Sequence, residues 1–126
     1  MQPAATDRFA LWVHRLGRLC LAMLFFLGAV QKVADPAPVV QMLGSVGLAP
    51  SFVWPVAAFN LLAGLALVSG RFLRPVGLVL AAYCMVTSYF HFIPDDGWQM
   101  SIFVKNWAIA GGLLCLAAQP PLRADA

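Results

Sequence analysis

Four apolar windows, each close to the length of a membrane-crossing helix, limit this chain more than any other feature. They are Leu19 to Val30 with apolar flanks on both sides, Phe52 to Val68, Val76 to Ile93 and Ile102 to Ala118. A spanning helix needs about 20 mostly apolar residues, and a single helix satisfies its backbone polar groups where water is absent. With interfacial flanks the windows become spans of about residues 12–33, 52–69, 75–93 and 101–118. Composition agrees: 62% of residues are hydrophobic and 10% charged, and the mean hydropathy is +0.84. Soluble domains are roughly half apolar and a quarter charged. At 126 residues there is room for one domain, residues 1–126. The expected fold is all-α, an integral membrane four-helix bundle.

The first window resembles a signal peptide, with arginines ahead of an apolar run. Gly28 and Lys32 nevertheless continue a helical face, and no small-x-small cleavage site precedes Lys32, so it is read as a span. With four spans, Arg8, Arg15, Arg18, Arg71, Arg74 and Arg123 fall on one side, and only Lys32 and Lys105 on the other. Six against two places both termini of this multi-pass chain in the cytoplasm. That bias explains the net charge of +3, and with no basic run or basic-aromatic patch, nucleic acid is set aside.

The connections carry their own signals. Residues 1 to about 9 are polar and read as loose. After the first span, "ADPAPVVQMLGSVGLAPS" reads as a short interfacial helix. Asp35 would cap it, Pro36 suits its first turn, Val39, Leu43 and Val46 share a face, and Gly47 ends it. "SGRFLRP" is a tight turn with Pro75 placed to open the third span, and "IPDDGWQMS" precedes the fourth. Trp12, Trp54 and Trp98 fall at expected interfaces.

In lipid, helices pack through small residues, so a stripe of them marks a buried face. The third span offers Gly77, Ala81, Cys84, Ser88 and His91, and the fourth Ser101, Lys105, Ala108, Gly112 and Cys115. On the second, Ala57, Asn60 and Gly64 align; on the first, Arg18, Leu21, Phe25, Gly28 and Lys32. Gly28, Gly64, Gly77, Gly111 and Gly112 are the expected packing glycines.

Each stripe carries a polar side chain. By helix rise, Lys105 lies roughly 6 Å and Asn60 roughly 13 Å below the outer helix ends, with Lys32 and His91 near the boundary. An ammonium in a span costs at least about 2.5 to 3.5 kcal/mol if left in hydrocarbon, so it marks a functional site by default. The expectation is a polar pocket open to the outside, lined by Lys105, His91, Asn60, Asn106 and Lys32. Against it stand blander readings: snorkelling for Lys32, helix-helix hydrogen bonding for His91 and Asn60, and solvation for Asp95 and Asp96. Asn106 points about 100° away from Lys105, toward the pocket rim or a neighbouring helix.

Cys20, Cys84 and Cys115 lie inside spans without a C-x-x-C pair, which favours packing over redox work. His14 and His91 fall on opposite membrane sides with no carboxylate at ligand spacing, so no metal site is expected. No phosphate loop, nucleophile elbow or dinucleotide motif is present, and no intrinsic cofactor is expected. Redox chemistry would need a borrowed cofactor.

The strings "RLCLAMLFFLGAVQKVADPAP", "NLLAGLALVSGRFLRPVG", "SYFHF" and "FVKNWAIAGGLLCLA" together resemble the DoxX family of small four-helix bacterial membrane proteins, over roughly residues 15 to 118. The most specific parts are G-x-x-x-K, here Gly28 and Lys32, and the run holding Phe103, Lys105, Asn106, Gly111 and Gly112. The resemblance implies kinship with the membrane subunit of a thiosulfate:quinone oxidoreductase and with oxidative-stress and thiol-handling complexes. Many relatives carry a glutamate in the second span where this chain has Asn60, which removes a carboxylate partner for Lys105.

Three functions follow as expectations. One is a subunit working with a quinone-linked redox partner, whose pocket holds a quinone headgroup or small anion. The second is a non-enzymatic membrane adaptor or assembly factor, in which the small-residue faces hold a partner or a second copy. Small-molecule transport ranks third, because transporters place their sites at the midplane between repeats, and no repeat is visible here.

Overall fold

A computed structural model describes residues 3–120, with side chains from Arg8 onward; Arg123 and the C-terminal end lie outside the described residues. Five α-helices follow in order: α1 (Pro3–Ala34), α2 (Ala37–Ser45), α3 (Val53–Ser69), α4 (Leu73–Ser88) and α5 (Gly97–Ala118). Short 3₁₀ turns at Pro50–Phe52 and Tyr89–His91 lead into α3 and out of α4. Four stretches are long and apolar enough to cross a membrane: Arg8–Ala34, Pro50–Ser69, Leu73–His91 and Gly97–Ala118. All four expected spans are therefore present, and no strand occurs among the described residues.

The helix boundaries follow local chemistry. α1 begins at Pro3, so the expectation of a loose segment to residue 9 is corrected for the described part. Proline is pre-set for a first turn, and the alanines after it are the best helix formers. α2 matches the expected short helix, but Asp35 makes no cap: Pro36 holds the N-cap position without a side-chain bond. Gly47, at φ +77, ends it as expected, with its N–H returning to Gly44 O and that of Leu48 to Leu43 O. Asp96 does cap α5, accepting from the N–H groups of Trp98 at 3.0 Å and Gln99 at 3.2 Å. Its role is thus structural, satisfying two of the four free donors at the helix start.

Two compact units divide the chain, one ending at Arg71 and the other covering Phe72–Gln119. In the first, α1 packs on α3; in the second, α4 packs on α5. The sequence reading treats the four spans as one domain, whereas the contacts group them as two helix pairs. Between the units the backbone passes through two left-handed residues, Gly70 (φ 74) and Phe72 (φ 56). Glycine adopts that geometry freely, while Phe72 carries the steric cost of a Cβ.

Within the first unit the pairing is antiparallel. Gly28 meets Asn60, Gly64 lies under the Phe26 ring and Gly70 under Arg18, so residues advance along one helix as they retreat along the other. Buried Ala22, Phe25 and Ala29 on α1, with Val53, Ala57, Asn60, Ala63 and Leu67 on α3, repeat every three or four residues. In the second unit Gly77, Leu80, Ala81, Cys84 and Ser88 are the buried positions of α4. Thr87 and Ser88 return their hydroxyls to Tyr83 O and Met85 O, a bond that spares them a partner in hydrocarbon. Outward-facing Leu16, Met23, Leu27, Leu62 and Val86 are more than half exposed. Apolar surface on that scale requires lipid around it.

The expected face of α5 is corrected. Ser101, Lys105, Ala108, Gly112 and Cys115 are all exposed, and the buried positions are Ala110, Leu113, Leu116 and Ala117. α5 has small residues on both sides, and what selects the inner one is Gly77: a Cβ there would lie 2.8 Å from Leu113 O and 2.9 Å from Ala117 Cβ. Gly111 and Gly112 face open space within the second unit, so neither is a contact point of the α4–α5 pair.

These contacts separate the glycines by function. Gly77→Ala should destabilise by about 1 to 3 kcal/mol, because its neighbour is backbone and cannot step aside. Gly112→Ala, with open space and a better helix former, should leave stability unchanged or raised. Denaturant titration of both variants in detergent micelles checks the contrast; equal losses would place α5 in the wrong rotation.

Candidate functional site

Lys32 and Asn60 are brought together. Near the C-terminal end of α1 the Lys32 Nζ donates to Asn60 Oδ1 at 3.0 Å and to Gly28 O at 3.3 Å. The lysine is half-buried, and Asn60 is 3% exposed. Gly28 makes the arrangement possible, because a Cβ at that position would stand 2.7 Å from Asn60 Oδ1. A glycine one turn before the lysine thus admits the amide from α3 and offers its own carbonyl. Lys32 is therefore an anchored donor, and snorkelling gives way to a tertiary role. An ammonium has three N–H donors; two find acceptors here among the described residues.

His91 forms a second polar contact, within the other unit. Its Nδ1 lies 2.7 Å from Gln99 Oε1. With the amide oxygen as acceptor, Nδ1 carries the hydrogen, and in the neutral ring Nε2 is then the acceptor. The 3₁₀ turn Tyr89–His91 delivers the imidazole to the first turns of α5, and the Phe92 ring, 5.2 Å from that of Phe103, fixes the chain just after it. Gln99 itself is held by its backbone bond to Asp96. The sequence reading missed Gln99, although it stands one turn from a capping aspartate and eight residues from His91.

Lys105 differs from expectation. It is exposed, in a shallow open depression of about 480 Å³ lined with Gly97, Met100, Ser101 and Val104. Because the Asp96 cap starts α5 at Gly97, Lys105 lies roughly 12 Å along the helix rather than 6 Å. Neither Asp95 nor Asp96 pairs with it; Asp96 is engaged at the helix start. Asn106 stands on the half-buried side, with Ala110 and Leu113, turned away from Lys105 as its position around the helix requires.

A family model, DoxX, matches residues 14–92, more than half of the chain. The chain belongs to the DoxX family. The matched DoxX segment contains Gly28, Lys32, Asn60 and His91 and ends before Lys105 and Asn106. The chain is also 30% identical over 108 residues to the inner membrane protein YqjF of Escherichia coli (strain K12), covering 84% of this chain and 82% of the relative. No solved structure matches. This DoxX protein is thus a multi-pass protein of the inner membrane.

The Lys32 and Asn60 side chains should behave as a coupled pair. Asn60→Leu removes the acceptor from a half-buried ammonium and should cost about 1 to 3 kcal/mol. Adding Lys32→Leu should restore most of that loss. A double-mutant cycle by denaturant titration reads the coupling directly, and additive losses would mean that the bond contributes nothing.

Proposed function

We propose that this DoxX protein is a membrane subunit without a cofactor of its own, working beside a quinone- or thiol-linked redox partner. The Lys32 site would take a quinone headgroup or a small anion. The observation that carries this reading is the anchored ammonium: Lys32 is oriented by Asn60 and Gly28, and its third donor has no acceptor among the described residues. A quinone carbonyl offers the acceptor such a donor needs, and its reduced form spreads negative charge that an ammonium stabilises. With both termini cytoplasmic, as the arginine bias favours, this site faces outward. His91, with Nδ1 committed to Gln99, has Nε2 to accept and pass on a proton at the end of α4. The redox centre belongs to the partner.

A second reading rests on α5. Ser101, Lys105, Ala108, Gly112 and Cys115 form an outward stripe of small residues broken by one cation. Such a stripe admits close approach of another helix, which suits a membrane adaptor. In that case Gly112→Leu releases a co-purifying protein without changing the stability of the chain.

Quinone content, measured by mass spectrometry on protein extracted in native lipid discs, tests the first reading. Wild type and Lys105→Leu should hold stoichiometric quinone, and Lys32→Leu should hold none. Background quinone in all three would remove the redox-subunit reading and leave the adaptor.

A further inference from the structure

The arginine-bearing end of the first unit contains a charge that the described chain does not neutralise. α1 is longer than the helix it pairs with: Arg18 lies opposite Gly70, where α3 has just ended, and residues before Arg18 extend past it. The Arg18 guanidinium occupies the space a Gly70 Cβ would need, and contact with Nη1 would be the closest. Its Nε is shielded and has no hydrogen-bond partner among the described residues. One turn earlier, Arg15 stands on the same side of α1, with its guanidinium 5.3 Å from the centre of the Trp12 ring. Arg71 follows Gly70 directly and is exposed.

A structural role explains part of this. The C-terminus of α3 carries roughly half a negative charge, which favours a cation in the position of Arg18. Half a charge does not balance Arg18, Arg15 and Arg71 together. Asp35, the nearest carboxylate whose side chain is described, stands at the opposite end of α1, and the side chain of Asp7 lies outside the described ones. Guanidinium groups held by packing and stacking, with no carboxylate on their fork among the described side chains, suit a planar or tetrahedral oxyanion.

We propose that Arg15, Arg18 and Gly70 form a binding site for the phosphodiester of an anionic phospholipid, in the leaflet at the arginine-bearing end. The Nη groups of Arg18 and the guanidinium of Arg15 donate to the phosphate oxygens, and Gly70 keeps Arg18 in place by having no side chain. Phosphate chemistry alone would also fit a free anion. Location selects the lipid: Trp12, Leu16 and Leu19 are each more than half exposed along the same stretch of α1, where an acyl chain and its glycerol can lie.

Native mass spectrometry of the full chain, from discs of phosphatidylcholine with and without phosphatidylglycerol, tests the site. Wild type should retain phosphatidylglycerol as a defined adduct. Arg15→Gln, at an exposed position that leaves the fold intact, should lower retention about tenfold, the worth of one charged hydrogen-bonding contact. Arg18→Lys keeps the charge but loses the fork and should also retain less. Arg8→Gln should retain as much as wild type. Equal loss in the Arg8 and Arg15 variants would reduce the effect to diffuse charge and overturn the site. If inorganic phosphate stabilises the protein in phosphatidylcholine discs as well as phosphatidylglycerol does, the lipid assignment is overturned in favour of a free anion.

Discussion

Lipid supplies no force that drives apolar helices together, so this protein depends on the few places where two backbones come close. In the first unit those places are Gly28 at Asn60 and Gly64 beneath Phe26; in the second, Gly77 against the Leu113 carbonyl and Ala117. Dispersion between close surfaces acts over short distances, and one methyl in the wrong place is enough to part them. The same approach that holds α1 to α3 also carries the Asn60 amide to the ammonium of Lys32. Packing and polar chemistry in this protein are therefore one arrangement.

That coupling explains why so much was legible from the sequence. Span positions follow from hydropathy alone, since the bilayer sets the helix length. On α1, α3 and α4 the stripes through Gly28, Gly64 and Gly77 are the ones the fold uses. α5 was ambiguous in physical terms. Ala110 and Ala117 offer a close surface on one side and Ala108 and Gly112 on the other, and only the position of Gly77 distinguishes them.

The polar residues were legible as a set, but their roles were not. Lys32, near a helix end, reads as a side chain able to reach the headgroups, yet Asn60 and Gly28 hold it back. Lys105 reads as interior because a small-residue stripe accompanies it, yet that stripe is exposed. Gln99 was overlooked because the sequence reading left it in the turn before the fourth span; its partnership with His91 exists only once the chain reverses at Asp95 and Asp96 and α5 begins at Gly97. A hydrogen bond between residues 28 apart, like that of Lys32 and Asn60, is a property of the register of two helices.

That separation also sets an order of events during synthesis. α1 leaves the ribosome ahead of α3, so for an interval the Lys32 ammonium has only the carbonyl of its own helix and water at the membrane edge. The tertiary bond of the first span therefore forms only when α3 arrives with its amide. Insertion and assembly of this hairpin are two stages in time, and the second is closed by a single side chain from a helix that was not yet there.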